Sequence, residues 1–204
     1  MRKVDPAKHE QKRREILEAA GRCFVRDGFR GASISDICAE AGISPGHLYH
    51  YFASKEAIIG AMTEAGLERA AERFSQMTER TNVVAALAAQ FDKIKLRGDA
   101  GNQTLVLDML AEAGRNPAVA DILHHHTAAL RAMLGDFLRM GQARGQVDGS
   151  LDAEIAAVIL IGVIDGAKVL KIRDPTADMT KSVAMLRTLI TRFLTPPPNG
   201  SSRM

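Results

Sequence analysis

Apolar residues recur at intervals of three and four along nearly the whole chain, and the elements they predict are helices. Ile16, Leu17, Ala20, Phe24 and Val25 mark one face of a first helix over residues 7–27, and Gly28 is placed to end it. Ser33 caps a second helix through Ala41, with Asp36 three residues on as an imperfect capping box and Ile34, Ile37 and Cys38 turned inward. Gly42 marks a tight turn. A third, short helix starts after Ser44, takes Pro45 at its first position, where the missing N–H is harmless, and is expected to reach Tyr51. Ser54 caps a long fourth helix over residues 55–80, with Ile58, Ile59, Met62 and Leu67 on one side and Glu68, Arg69, Glu72 and Arg73 on others. Five more helices are expected over residues 83–97, 103–115, 117–144, 152–173 and 176–194. No segment alternates as a strand does, and the proline run at 196–198 stops the last helix ahead of an expected disordered tail, the whole of it residues 196–204.

Two of these helices have more apolar surface than one neighbour covers. Residues 155–164 are apolar all round, Ile155 and Ile159 among them. In the last helix Met179, Val183, Leu186, Ile190 and Phe193 alternate at four and three, the seam of a helix that meets another helix. Packing within the chain satisfies one such helix. Satisfying both is easier if a second copy supplies two more, so the expected assembly is a homodimer with a four-helix contact made by Ile155, Ile159, Val183, Leu186, Ile190 and Phe193.

Composition and charge narrow the class. With 204 residues, 46% of them apolar, there is ample material for a core. The longest uncharged apolar run is half of the ~20 residues that a bilayer-spanning helix needs, and the N-terminus is charged, so a cytoplasmic protein without membrane partners is expected. Two cysteines make no disulfide framework, and no Cys/His spacing fits zinc. The net charge of +3 is unevenly placed: residues 1–55 hold ten Lys/Arg against seven Asp/Glu, and the remainder is balanced. Lys8, Lys12, Arg13 and Arg14 against Glu10 read either as a solvated helix face or as a surface for a polyanion.

The second and third helices have the spacing of a helix-turn-helix. Leu48, Tyr51 and Phe52 form the docking side of the third helix, while Gly46, His47, Tyr49 and His50 offer a small residue and three hydrogen-bonding side chains on the other. The run from Gly31 to Glu56, with Leu48-Tyr-His-Tyr-Phe-Ala-Ser-Lys-Glu at its end and Ile16-Leu-Glu-Ala-Ala and Phe24-Val-Arg-Asp-Gly-Phe upstream, resembles the N-terminal DNA-binding domain of the TetR family of bacterial transcriptional regulators. Cys38 departs from the family's usual Ala, a small change at an inward position. The resemblance implies an all-α protein of about nine helices, with a helix-turn-helix DNA-binding domain at residues 1–55 and a helical ligand-binding and dimerisation domain at 56–195. It also implies a homodimer, usually a repressor, that leaves a palindromic double-stranded DNA operator when a small-molecule effector binds. Carried over residue by residue, Ser33, Tyr49, His50 and Lys55 are expected at phosphates, and Ser44, Pro45, Gly46 and His47 near base edges, with His47 setting sequence choice.

No nucleophile, base and orienting group assemble from spacing and no glycine-rich phosphate loop appears, so neither an enzyme nor a cofactor is expected. Consecutive His124, His125 and His126 point about 100° apart on a helix and do not converge on a metal ion. Cys23 and Cys38 read as small inward hydrophobes. For the effector, the inward positions Met62, Leu87, Phe91, Leu105, Met109 and Met133 either line an adaptable apolar cavity or fill a core, and Asp108 and Asp165 are polar anchors in that cavity or ordinary caps and ion pairs. A methionine-rich cavity favours a hydrophobic ligand. An activator, a ligand-independent regulator and a helical lipid-binding protein without DNA binding stand as alternatives.

Overall fold

The computed structural model describes the backbone of residues 5–77, 81–96 and 100–198, with side chains described outside residues 90–104. Among the described residues there are nine helices and no strand: α1 (Pro6–Gly31), α2 (Ile34–Ala41), α3 (Pro45–Tyr49), α4 (Lys55–Ser75), α5 (Val83–Leu96), α6 (Ala100–Ala113), α7 (Pro117–Ala143), α8 (Ala153–Arg173) and α9 (Met179–Leu194). No helix of the described residues is long and apolar enough to cross a membrane. The chain divides into two compact units, Met1–Leu67 with Asp99–His126, and Glu68–Gly98 with Thr127–Met204.

The first unit is built on α1, which is capped by the Asp5 carboxylate accepting the Ala7 N–H at 3.1 Å and opened by Pro6. Its inward stripe, Ile16, Ala20, Cys23 and Phe24, packs with Ile37 and Cys38 of α2, Leu48 of α3, Ile58 and Ile59 of α4, and Met109 and Val119. Ion pairs tie α1 to α2 over this core: Glu40 takes Arg22 at 2.6 Å and Arg26 at 3.5 Å, and the hydrogen bond from Arg22 holds its carboxyl below the usual carboxylate range. The expected boundary after residue 55 and this packing unit therefore part company, because the first turns of α4 and the α6–α7 segment complete the same core as the helix-turn-helix.

In the second unit α5 packs on α9 and α8 packs on both. Val83, Leu138, Leu160, Ile190 and Leu194 are fully buried there. Gln146 closes the start of α5 by accepting the Val83 N–H at 2.9 Å, and the Asp148 N–H donates to the Leu194 carbonyl at 2.8 Å. Residues 196–198 follow without regular structure, and residues 199–204 of the expected tail lie outside the described residues.

Several boundaries differ from the sequence reading. Gly28 interrupts α1 without ending it: its backbone is left-handed (φ 73°, ψ 168°), and the chain resumes a helical course to Gly31. The third helix stops at Tyr49, not Tyr51. Asp174 accepts the N–H and hydroxyl of Thr176 in a local turn, so α9 starts later, behind an Asp178 cap. The expected dimer seam on α9 is corrected too. Val183 (4% exposed) and Ile190 (1%) lie in this chain's own core, with Leu186 and Phe193 half-buried against it. The large apolar side chains that α9 leaves exposed are Met185 and Leu189, and those of α8 are Ile155, Val158, Ile159 and Ile172.

Candidate nucleic-acid interface

The helix-turn-helix is fixed by its caps. Ser33 and Asp36 form a complete capping box: the Asp36 N–H donates to Ser33 Oγ at 3.1 Å, and Asp36 Oδ2 accepts the Ser33 N–H at 2.8 Å and the Ser33 hydroxyl at 2.6 Å. Those bonds hold the Asp36 carboxyl below its ordinary range. Gly42 closes α2 with left-handed backbone, and Ser44 Oγ then accepts the His47 N–H at 3.3 Å to start α3 behind Pro45. Leu48 is the buried anchor of α3 and Phe52 follows it into the core.

What is left outward on α3 is the set expected from sequence: Ser44, Pro45, Gly46, His47, Tyr49 and His50 are all exposed. Tyr49 is 54% exposed, an unusual fate for so large a side chain. Gly46 is informative in another way. Its φ is not positive, and a Cβ built on it meets nothing within 4 Å, so neither backbone conformation nor packing inside the chain requires glycine there. A glycine on a helix with no internal reason leaves room for an approaching surface.

Tyr51 gathers imidazoles around the end of α3. His9 of α1 stacks on it with centroids 4.6 Å apart, His47 lies at 5.5 Å and His50 at 5.7 Å. Arg13 sits 5.5 Å over the Phe52 ring, so the N-terminal turns of α1 buttress the recognition helix; the sequence reading missed His9, whose only signal was its place in a basic run. Within that run, Lys12 pairs with Glu15 at 2.6 Å, and Arg13 and Arg14 with Glu10 at 3.7 and 3.6 Å.

Two residues expected at phosphates are engaged inside the chain. The Ser33 hydroxyl serves the capping box. Lys55 Nζ donates to the carbonyls of Phe29 at 2.5 Å and Ala32 at 3.0 Å and lies 4.5 Å over the Phe29 ring. Its ammonium pins the end of α1 to the start of α4.

The effector candidates are divided between the two units. Met62, Leu105, Asp108 and Met109 belong to the first unit, Leu87, Met133 and Asp165 to the second, and the Phe91 side chain lies outside the described residues. Leu87 and Met109 are core, Asp165 pairs with Lys168 at 2.7 Å, and Asp108 accepts the Phe29 N–H. Met133 lines a concavity of about 320 Å³ in the second unit, formed with Ala71, Phe74, Ser75, Met77, Asp136, Phe137 and Met140. Cys23 and Cys38 are buried, and burial raises both thiols above their ordinary range, which leaves little thiolate for redox chemistry. Among the described residues no group of His, Cys, Asp and Glu could hold a metal ion.

Residues 16–62 match a model described as bacterial regulatory proteins, tetR family, and residues 79–195 match one described as BetI-type transcriptional repressor, C-terminal. The chain is 33% identical over 155 residues to the HTH-type transcriptional regulator UidR of Escherichia coli (strain K12), covering 76% of this chain and 78% of UidR. Among solved structures, Salmonella enterica GusR aligns with a TM-score of 0.79 at 33% identity, over 90% of this chain and 95% of that one. Bacillus subtilis FadR, solved in complex with stearoyl-CoA, shares the fold at a TM-score of 0.74 and 21% identity, over 88% of this chain and 97% of that one.

Proposed function

The chain belongs to the TetR family, non-enzymatic DNA-binding transcriptional regulators of bacteria, and within that family we propose a cytoplasmic homodimeric repressor that a small hydrophobic ligand releases from a palindromic operator. The observation that carries the DNA-reading part is the outward face of α3, where Gly46, His47, Tyr49 and His50 are exposed and Gly46 has no internal role. His47 and Gly46, beside Ser44 and Pro45, approach base edges; Tyr49 and His50 reach phosphates. Ser33 and Lys55, expected at phosphates, serve chiefly to hold the helix-turn-helix in place.

The repressor reading is supported by the description of the family model that spans residues 79–195. The dimer is supported by the exposed large apolar side chains of α8 and α9, which a second copy covers by two-fold symmetry. For the effector, the methionines Met77, Met133 and Met140 and the rings of Phe74 and Phe137 around the second-unit concavity support an apolar ligand with room to repack.

A gel shift with the DNA upstream of this chain's own gene tests the reading. The protein is expected to retard that duplex and to protect two half-sites about one helical turn apart. A screen of hydrophobic compounds by thermal shift then finds the ligand, which must both raise the midpoint and free the DNA. Protection of a single unsymmetrical site, or compounds that stabilise the protein without touching DNA binding, count against the palindrome and the release respectively.

A further inference from the structure

The break in α1 is held by residues far away in sequence. At Gly28 the helix leaves its course and restarts, and the first N–H groups of a restarted turn need acceptors outside it. Phe29 finds one in α6: its N–H donates to Asp108 Oδ2 at 2.5 Å. Glycine at position 28 permits both the left-handed backbone and the approach, since a Cβ there would stand 3.3 Å from the same carboxylate oxygen. One turn along α6, Glu112 takes the Arg30 side chain at 2.9 Å and Arg115 at 3.7 Å; it is a buried carboxylate, 5% exposed. Lys55 also donates to the carbonyls of Phe29 and Ala32. The polar groups of the link between Gly28 and Ala32 are thus gripped between an anionic face of α6 and the ammonium of α4, immediately before Ser33, the cap on which the helix-turn-helix begins.

We infer that Asp108, backed by Glu112, is a positioning residue for DNA binding: it fixes the end of α1 and thereby the orientation in which α2 and α3 leave it. Neither carboxylate belongs to the outward face of α3 that meets DNA, and Asp108 was a candidate for an effector anchor; the geometry assigns it to the clasp instead. The inference rests on the DNA-binding reading, and the probe separates the two. A duplex selected by the wild-type protein from a random-sequence pool serves as the ligand, with binding measured by fluorescence anisotropy over a range of salt.

Charge alone makes a clear opposite prediction, because removing a carboxylate from a DNA-binding protein tightens binding to a polyanion. Positioning predicts weakening. In Asp108→Ala the competent fraction falls, so affinity is expected to drop about tenfold while the salt slope, which counts phosphate contacts, stays at the wild-type value. Asp108→Asn loses the same charge but keeps an acceptor oxygen for the Phe29 N–H, and it is expected to restore binding to within about threefold of wild type. Gly28→Ala, which strains the break and crowds the carboxylate while leaving it present, is expected to behave as Asp108→Ala and serves in its place if that variant does not fold. Wild-type or tighter binding by both Asp108→Ala and Gly28→Ala overturns the inference. So does a loss that disappears once concentrations are corrected for active protein by stoichiometric titration, because that result describes unfolding. A wild-type chain that selects no duplex overturns the DNA-binding reading and the inference with it.

Discussion

Gly46 separates what the fold needs from what a partner needs. Alanine fits its helical backbone and its open surroundings, and reduces the freedom of the unfolded chain, so Gly46→Ala is expected to leave the thermal midpoint unchanged or raise it by the equivalent of about 0.5–1 kcal/mol. DNA binding is expected to fall in the same protein, because the added methyl would occupy the surface proposed to approach the base edges. A variant both more stable and fully active would remove Gly46 from the interface. Its neighbours divide by what they read. His47→Ala is expected to lower affinity for the selected site by about 1–3 kcal/mol and random duplex hardly at all, whereas Tyr49→Phe is expected to weaken both alike with the salt dependence unchanged, since a neutral hydroxyl releases no counterion. Equal losses on selected and random DNA for His47→Ala would sink its assignment to base edges.

At the scale of elements, the capping box of α2 links acid stability to the helix-turn-helix. Hydrogen bonds from the Ser33 hydroxyl and N–H lower the Asp36 carboxyl below its unfolded range, so its stabilisation is present above the ordinary Asp value of about 3.9 and is lost as pH falls through the lower folded value. Asp36→Asn is therefore expected to melt earlier than wild type at pH 7 and to converge with it in strong acid. A gap that stays constant with pH would show that the carboxylate's charge is not what stabilises the cap. This element was legible in sequence because its signal is local: Ser33, Asp36, Ser44 and Pro45 act within a turn of themselves. The α1 break was not, since the partner of Phe29 stands 79 positions away and a glycine at a helix end looks the same whether the chain stops or restarts. The α9 seam failed for a related reason. Spacing of three and four marks an apolar face but not whose helix covers it, and here α5 and α8 of the same chain bury Val183 and Ile190. The outward set on α3 was readable because Leu48 alone turns that short helix into the core and leaves its other side chains in water; Lys55, whose long chain folds back to α1, shows where that reasoning stops.

For the whole molecule, the decisive quantity is how many copies act together. Large apolar side chains on α8 (Ile155, Val158, Ile159, Ile172) and α9 (Met185, Leu189) stand in water in a lone chain, which is costly, and Met185 at 66% and Leu189 at 52% exposed lie outside the chain's own core. In the proposed dimer, a second copy placed by a two-fold axis would bury the same residues on both sides and set two recognition helices against two half-sites. Charge placement predicts the salt response of the proposed assembly. The net +3 of each chain resides in residues 1–55, so pairing would double the basic surface presented to one duplex while the remainder carries no net charge. Ile159→Glu with Leu189→Glu is expected to give a folded monomer in sedimentation, since both side chains are already in water within the chain. That monomer should bind a full palindrome no better than an isolated half-site, because the gain from joining two contacts is lost, and its salt slope should be about half that of wild type. A wild-type protein that sediments as a monomer at micromolar concentration and still shows the steeper slope would contradict the paired reading, and a double variant that remains dimeric would move the interface away from α8 and α9.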